Sequence, residues 1–136
     1  MSFADGVPIC NLVAYAFTTT GTLLIPEQNE SKNVPFVVAP TKWTLQVTGV
    51  DNTNTPQTPS AWDVIVQPSL DGIGFNDMTT PILEHKNGTN GNGDCSFASP
   101  SSFPSLFPLR FLKIHVKTLT LGASATKILV SLLGVL

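Results

Sequence analysis

The stretch WDVIVQPSLDGIGF, residues 62–75, decides how this chain is read. Trp62, Val64 and Val66 alternate with Asp63, Ile65 and Gln67. That period of two belongs to a half-buried strand, because successive side chains leave opposite faces. Pro68 lacks the N–H a ladder needs and ends the run. Ser69, Leu70, Asp71 and Gly72 then supply a turn, Asp by bonding the local backbone and Gly by tolerating positive φ. Phe75 is the first bulky residue on the way back. We read a strand and hairpin with an aromatic residue packed at each end, and no catalytic group.

Working outward, residues 42–50 (KWTLQVTGV) repeat the pattern: Trp43, Leu45 and Val47 face in, and Thr44, Gln46 and Thr48 face out. Trp43 and Trp62 each sit in phase with inward aliphatics, so both are expected in one hydrophobic layer rather than on a sugar-stacking surface. Between them, DNTNTPQTPS (51–60) reads as a long polar loop. Residues 34–39 make a short edge strand between Pro35 and Pro40, and 82–85 another short strand. KNGTNGNGD (86–94) reads as a flexible exposed tip. Residues 96–108, with Phe97, Phe103 and Phe107 among serines and prolines, are not expected to be a regular strand; they either cap the core or present a sticky surface. In 109–121, Leu112, Ile114 and Val116 oppose Lys113, His115 and Lys117, and the phase slips near Thr118, which calls for a bulge. A last strand spans 126–133. No segment holds a helical period with caps.

These elements predict an all-β chain: a single jelly-roll-like β-sandwich of about eight strands with an extended N-terminal arm. Residues 1–33 form the arm and the first strands, split at Gly21, and 34–136 the sandwich. Both termini are apolar and strand-like, through Leu12, Tyr15, Phe17, Leu23, Leu24 and Ile25 at one end and Leu133, Val135 and Leu136 at the other. A monomer exposing them would associate. With Phe97, Phe103 and Phe107, they are the candidate interface residues.

Composition narrows the function. The 136 residues suffice for one domain with a core. Charged residues are 12% of the chain, against roughly 25% in a typical soluble protein. A surface so poor in charge suits a protein held against other subunits. The net charge of −2 and scattered Lys and Arg disfavour nucleic acid. No apolar run reaches a membrane span, and MSFADGVPICNL has no signal-peptide pattern. The sequons at Asn29 and Asn87 are therefore expected to be chance matches. Cys10 and Cys95 are expected to be free thiols, since neither lies in a CxxC or beside a His.

The search for chemistry is negative. No nucleophile elbow, zinc-binding helix, P-loop or dinucleotide fingerprint occurs. His85 and His115 stand alone, the latter on an outer strand face between lysines. Asp71, Asn76 and Asp77 match no calcium loop and read as turn residues. We expect no enzyme, no cofactor and no metal.

WTLQVTG, AWDVIVQPSLDGIGF, LRFLKIHVKTL and the final KILVSLLG together resemble a β-sandwich domain of tailed-bacteriophage virion proteins. The matching residues are Trp62, Val64, Val66, Ser69, Leu70, Asp71, Gly72 and Phe75, within a likeness spanning about residues 41–134 and leaving the arm outside. The resemblance implies a capsid decoration (cement) protein on the outer surface of the virion, made in the host cytoplasm. Its partner would be the major capsid protein, and it would be a homo-oligomer, a trimer by preference. It would work by contact rather than chemistry, with an arm whose removal leaves the sandwich folded. The alternative is a tail- or fibre-associated carbohydrate-binding module, which needs Trp43, Trp62 or one of the three Phe rings exposed beside polar groups.

Overall fold

The computed structural model describes residues 8–25, 42–69, 71, 73–75, 83–98 and 111–135. These form two four-stranded antiparallel sheets and no helix. The first sheet runs, in spatial order, β1 (Pro8–Phe17), β8 (Lys127–Val135), β3 (Lys42–Val50) and β6 (Cys95–Ala98). The second runs β2 (Gly21–Ile25), β7 (Phe111–Thr120), β4 (Ala61–Ser69) and β5 (Glu84–Lys86). Their inner faces share one apolar layer. Leu45, Val47, Ile128, Val130 and Leu132 of the first sheet meet Trp62, Val64, Ile114 and Val116 of the second. Each such aliphatic side chain contributes roughly 1.5–3 kcal/mol when fully buried.

Alternation places these residues as expected. Strand β3 has the predicted bounds, with Trp43, Leu45 and Val47 buried and Thr44, Gln46 and Thr48 half-buried. Trp43 and Trp62 lie in the same core cluster. The phase slip in β7 is present too: Asp63 pairs with Thr118 but Val64 with Val116, so Lys117 is the extra residue of a bulge. Beyond it, Leu119 and Leu121 still pack against the core.

Other expectations change. The first strands expected within residues 1–33, split at Gly21, are present as β1 and β2, and they belong to the sandwich: β1 pairs with β8 and β2 with β7, each at one edge of a sheet. Residues 96–98 were read as irregular, yet they lie in β6, because pairing with β3 turns Ala98 inward opposite Trp43 and Phe97 outward opposite Thr44. Strand β4 is buried on both faces: Ile65, Gln67 and Ser69 are as covered as the residues of the inner phase. Near Gln67, Lys113 is the cross-strand partner and places its ammonium 4.6 Å from the centre of the Phe75 ring. Asp71 acts as the expected turn residue, accepting the backbone N–H groups of Ile73 and Gly74 at 2.8 Å each. Those bonds hold its carboxyl below the usual range. The proposed strand at 34–39, Asn76, Asp77, residues 1–7 and 26–33 lie outside the described residues.

The presumed flexible tip is a strap instead. Gly93 donates to Val47 O (2.8 Å), and Gly49 N donates to Asn92 Oδ1 (2.6 Å), tying residues 87–94 to the first sheet. Trp62 N donates to Asn87 Oδ1 (3.1 Å) and Asn87 N to Trp62 O (3.2 Å), tying them to the second. Connections 18–20, 51–60, 87–94 and 121–126 close this end of the sandwich. Both termini and the connections 26–41, 70–82 and 99–110 attach at the opposite end, where Val135 pairs with Pro8 and Lys42, Ala98 with Trp43, and Ser69 with Phe111.

At that end Gly134 sits between Cys10 and Trp43. A methyl group on it would meet the Trp43 ring at 2.6–2.9 Å. Gly134→Ala should therefore cost about 1–3 kcal/mol through overpacking, read as a lowered urea midpoint. An unchanged midpoint would show that the Trp43 ring is free to move aside.

Candidate functional site

The two outer faces differ in kind. On the first sheet, the register aligns Asn11, Leu133, Thr44 and Phe97 in one row across all four strands. The next row holds Ser131, Gln46 and Cys95, and a third Ala16, Leu129 and Thr48. No carboxylate interrupts these rows. The charges on the described part of this face are Lys42 at one end and Lys127 at the other. Phe97 is 74% exposed and Leu133 39%. Thr44 is the direct neighbour of both, so the two apolar side chains flank a hydroxyl on a pleated surface without carboxylates.

Strand β1 adds a rim. Leu12 pairs with Leu132 and Tyr15 with Val130, which leaves Val13 and Ala14 together opposite Ser131. Ala14 takes φ 51°, and its N–H donates to Ser131 Oγ at 2.9 Å. For a residue with a Cβ this backbone costs about 1–2 kcal/mol. The bulge breaks the regularity of the edge, a feature that discourages edge-to-edge pairing. Val13 beside it is 72% exposed. Tyr15 stands half in solvent with its ring 5.2 Å from that of Phe17.

The outer face of the second sheet is charged, through Asp63, Glu84, Lys86, Lys113 and Lys117, and also carries His115. Glu84 and Lys86 are 3.5 Å apart. The carboxyl of Asp63 is pushed up to about 6, first by burial and then by the hydrogen bond and charge of Glu84, against the pull of Lys117 and Lys86. No set of three His, Cys, Asp or Glu side chains among the described residues gathers as metal ligands. Both cysteines are free, Cys10 buried and Cys95 exposed, and burial pushes the Cys10 thiol up to about 11.

Of the candidate interface residues, the fold brings Phe97, Leu133 and Val135 to the carboxylate-free face, while Tyr15, half exposed on the edge strand, shares the inward phase of Phe17. Phe17 and Leu23 belong to the core, and Leu12 and Ile25 pack against it. Leu24 lies on the other sheet, opposite Lys113. Phe103, Phe107 and Leu136 lie outside the described residues. Val13 was not anticipated; it alternates outward after the inward Leu12, and the bulge at Ala14 then returns Tyr15 and Phe17 to the inner phase. Nor was the partnership of His85, whose ring is fully buried and bonded on both nitrogens. The two histidines standing apart in sequence carried no sign of it.

The Asp63–Glu84 pair sets a direction for pH dependence. A carboxyl raised in the folded state binds more protons folded than unfolded, so the stability it contributes is present below about pH 4 and lost as pH rises through about 6. Asp63→Asn should raise stability at pH 7.5 by about 0.5–1 kcal/mol, a figure kept small because the site is partly solvated. It should leave pH 4 nearly unchanged. Equal urea midpoints for variant and parent at pH 7.5 would refute the pairing.

No protein-family model, curated protein or solved structure matches this chain.

Proposed function

We propose that this chain is a structural virion protein, a capsid decoration (cement) protein that binds the assembled head through protein–protein contacts. The observation that carries the reading is the carboxylate-free outer face of the first sheet, whose described charges, Lys42 and Lys127, lie at its two ends, with Phe97 and Leu133 in one row between them. Large exposed apolar groups on a face so poor in charge favour contact with another protein surface. The strand order 1-8-3-6 facing 2-7-4-5 supports a jelly roll, in which the chain passes between sheets at nearly every connection. Jelly rolls serve in viral capsid and lectin domains.

The mechanism is linkage: a protein that binds only the assembled shell stabilises that shell by mass action. Size argues for repetition. Four strands about 4.8 Å apart and roughly 30 Å long offer about 600 Å², short of the roughly 800 Å² per partner of a standard interface. One such face binds weakly. A trimer engaging several capsid subunits at once gains avidity without new contacts, which suits a homo-oligomer on a repeating lattice with the major capsid protein as partner.

A tail- or fibre-associated carbohydrate-binding module is the alternative. Trp43 and Trp62 are both buried, so a sugar platform cannot use either indole. Phe97 beside Thr44 and Gln46 is the exposed ring that this reading retains.

Co-sedimentation with phage heads lacking the protein tests the leading reading. Saturable binding at a fixed number of copies per head is expected. Phe97→Ser with Leu133→Ser should weaken it by about 100-fold, roughly 1.4 kcal/mol for each anchor, with the circular dichroism unchanged. No binding by the parent chain, together with saturable binding of a saccharide that Phe97→Ser abolishes, would move the assignment to the glycan reading.

A further inference from the structure

His85 joins the two sheets through a single protonation state. Its Nδ1 accepts the indole N–H of Trp62 at 2.8 Å, so Nδ1 carries no proton. Its Nε2 lies 2.8 Å from the carbonyl oxygen of Asp94 and must donate to it, so Nε2 carries the proton. The ring is thereby the neutral Nε2–H tautomer, assigned from its partners. It spans from β4 in the second sheet to the residue before β6 in the first. A second proton has one place to go, Nδ1, where the indole N–H already points. Two donors would then face each other, and the Trp62 bond would be lost.

We propose that His85 is an acid-released latch on the β5–β6 strap: on taking a second proton it keeps Asp94 but lets go of the Trp62 indole, and the freed Trp62 loosens the backbone groups through which it holds Asn87. The strap keeps its hold on the first sheet through Gly93 N to Val47 O and Gln46 Nε2 to Gly93 O, neither of which titrates. Release is therefore local.

The charged surroundings are few. On β5, Glu84 and Lys86 flank His85 but belong to the outer phase and face each other. On β4, Asp63 shares that outer phase, pairing with Lys86. Asp94, next to the carbonyl that His85 meets, favours the added proton through its charge. Along β3 the single charged residue, Lys42, lies at the far end of the sandwich, and β6 carries none, its one titratable group being the exposed thiol of Cys95. Burial outweighs Asp94 and holds the imidazole below its ordinary value. A depressed folded value means that the unfolded chain binds the proton first. The latch thus contributes in full above about pH 6.5 and is lost as pH falls through the folded value. This trend runs opposite to that of Asp63.

Amide hydrogen exchange on the full chain at pH 7.5 and pH 5.0, expressed as protection factors, tests the latch. Protection at Asn87 should fall at least tenfold at pH 5.0, while Val130 in the central β8 stays unchanged. His85→Gln offers an oxygen to Trp62 and an N–H to Asp94 without titrating, and its protection at Asn87 should not depend on pH. Equal protection of the parent chain at both pH values, or an equal loss in the variant, would overturn the proposal. Should the variant fail to fold, an NMR titration of the parent chain decides the matter. The Trp62 indole N–H resonance should move in step with the His85 ring, and an indole signal indifferent to that titration would also overturn it.

Discussion

Neither sheet can form without the other, because the chain changes sheet at every connection but the one between β4 and β5. Neighbours in sequence are thus mostly partners across the core, while ladder partners come from distant segments, as with β1 and β8 or β3 and β8. The apolar layer between the sheets is the interaction on which everything else depends. It rewards the pairing of strands that have no local reason to meet. Loop-closure entropy must be met before such contacts form, a pattern associated with slow folding.

The same layer explains why the two outer faces diverge. Once each strand has committed one phase to the core, the other phase is free to take its own character. On the second sheet that phase carries charges and is partly covered again around Gln67, Lys113 and Phe75. On the first it carries hydroxyls, amides and a few large apolar groups with no carboxylate. A surface of that kind has little to repel a protein partner and little to attract a charged one. The proposed cement role uses this neutrality, and it asks for repetition rather than strength from any single contact.

Polar groups matter most where the sheets are joined. At the closed end, Asn87, Asn92 and Gly93 satisfy backbone groups from both sheets, and His85 spans them with both ring nitrogens occupied. A buried imidazole tolerates one protonation state when its neighbours are an indole donor and a carbonyl acceptor. Burying it thus converts an ordinary stabilising bond into one sensitive to acid. Asp63 shows the opposite case, a carboxyl pushed up to about 6 by burial and by the neighbouring Glu84, whose protonated form the fold therefore favours.

Alternation in WTLQVTG, AWDVIVQP and FLKIHV by itself determined the all-β class, the inward residues and the bulge near Thr118, since strand phase is a local property of the chain. The same local reasoning found Phe97 and Leu133 as candidates for contact. It could not tell them from Phe17 and Leu23, which are equally apolar and end in the core, because burial depends on which strand lies alongside. The pairing of residues 8–25 into both sheets, the bulge at Ala14, the second burial of Ile65 and the Trp62–His85 bond were decided by tertiary structure alone. Each depends on segments far apart in sequence being brought together, and periodicity along one strand holds no information about its neighbour.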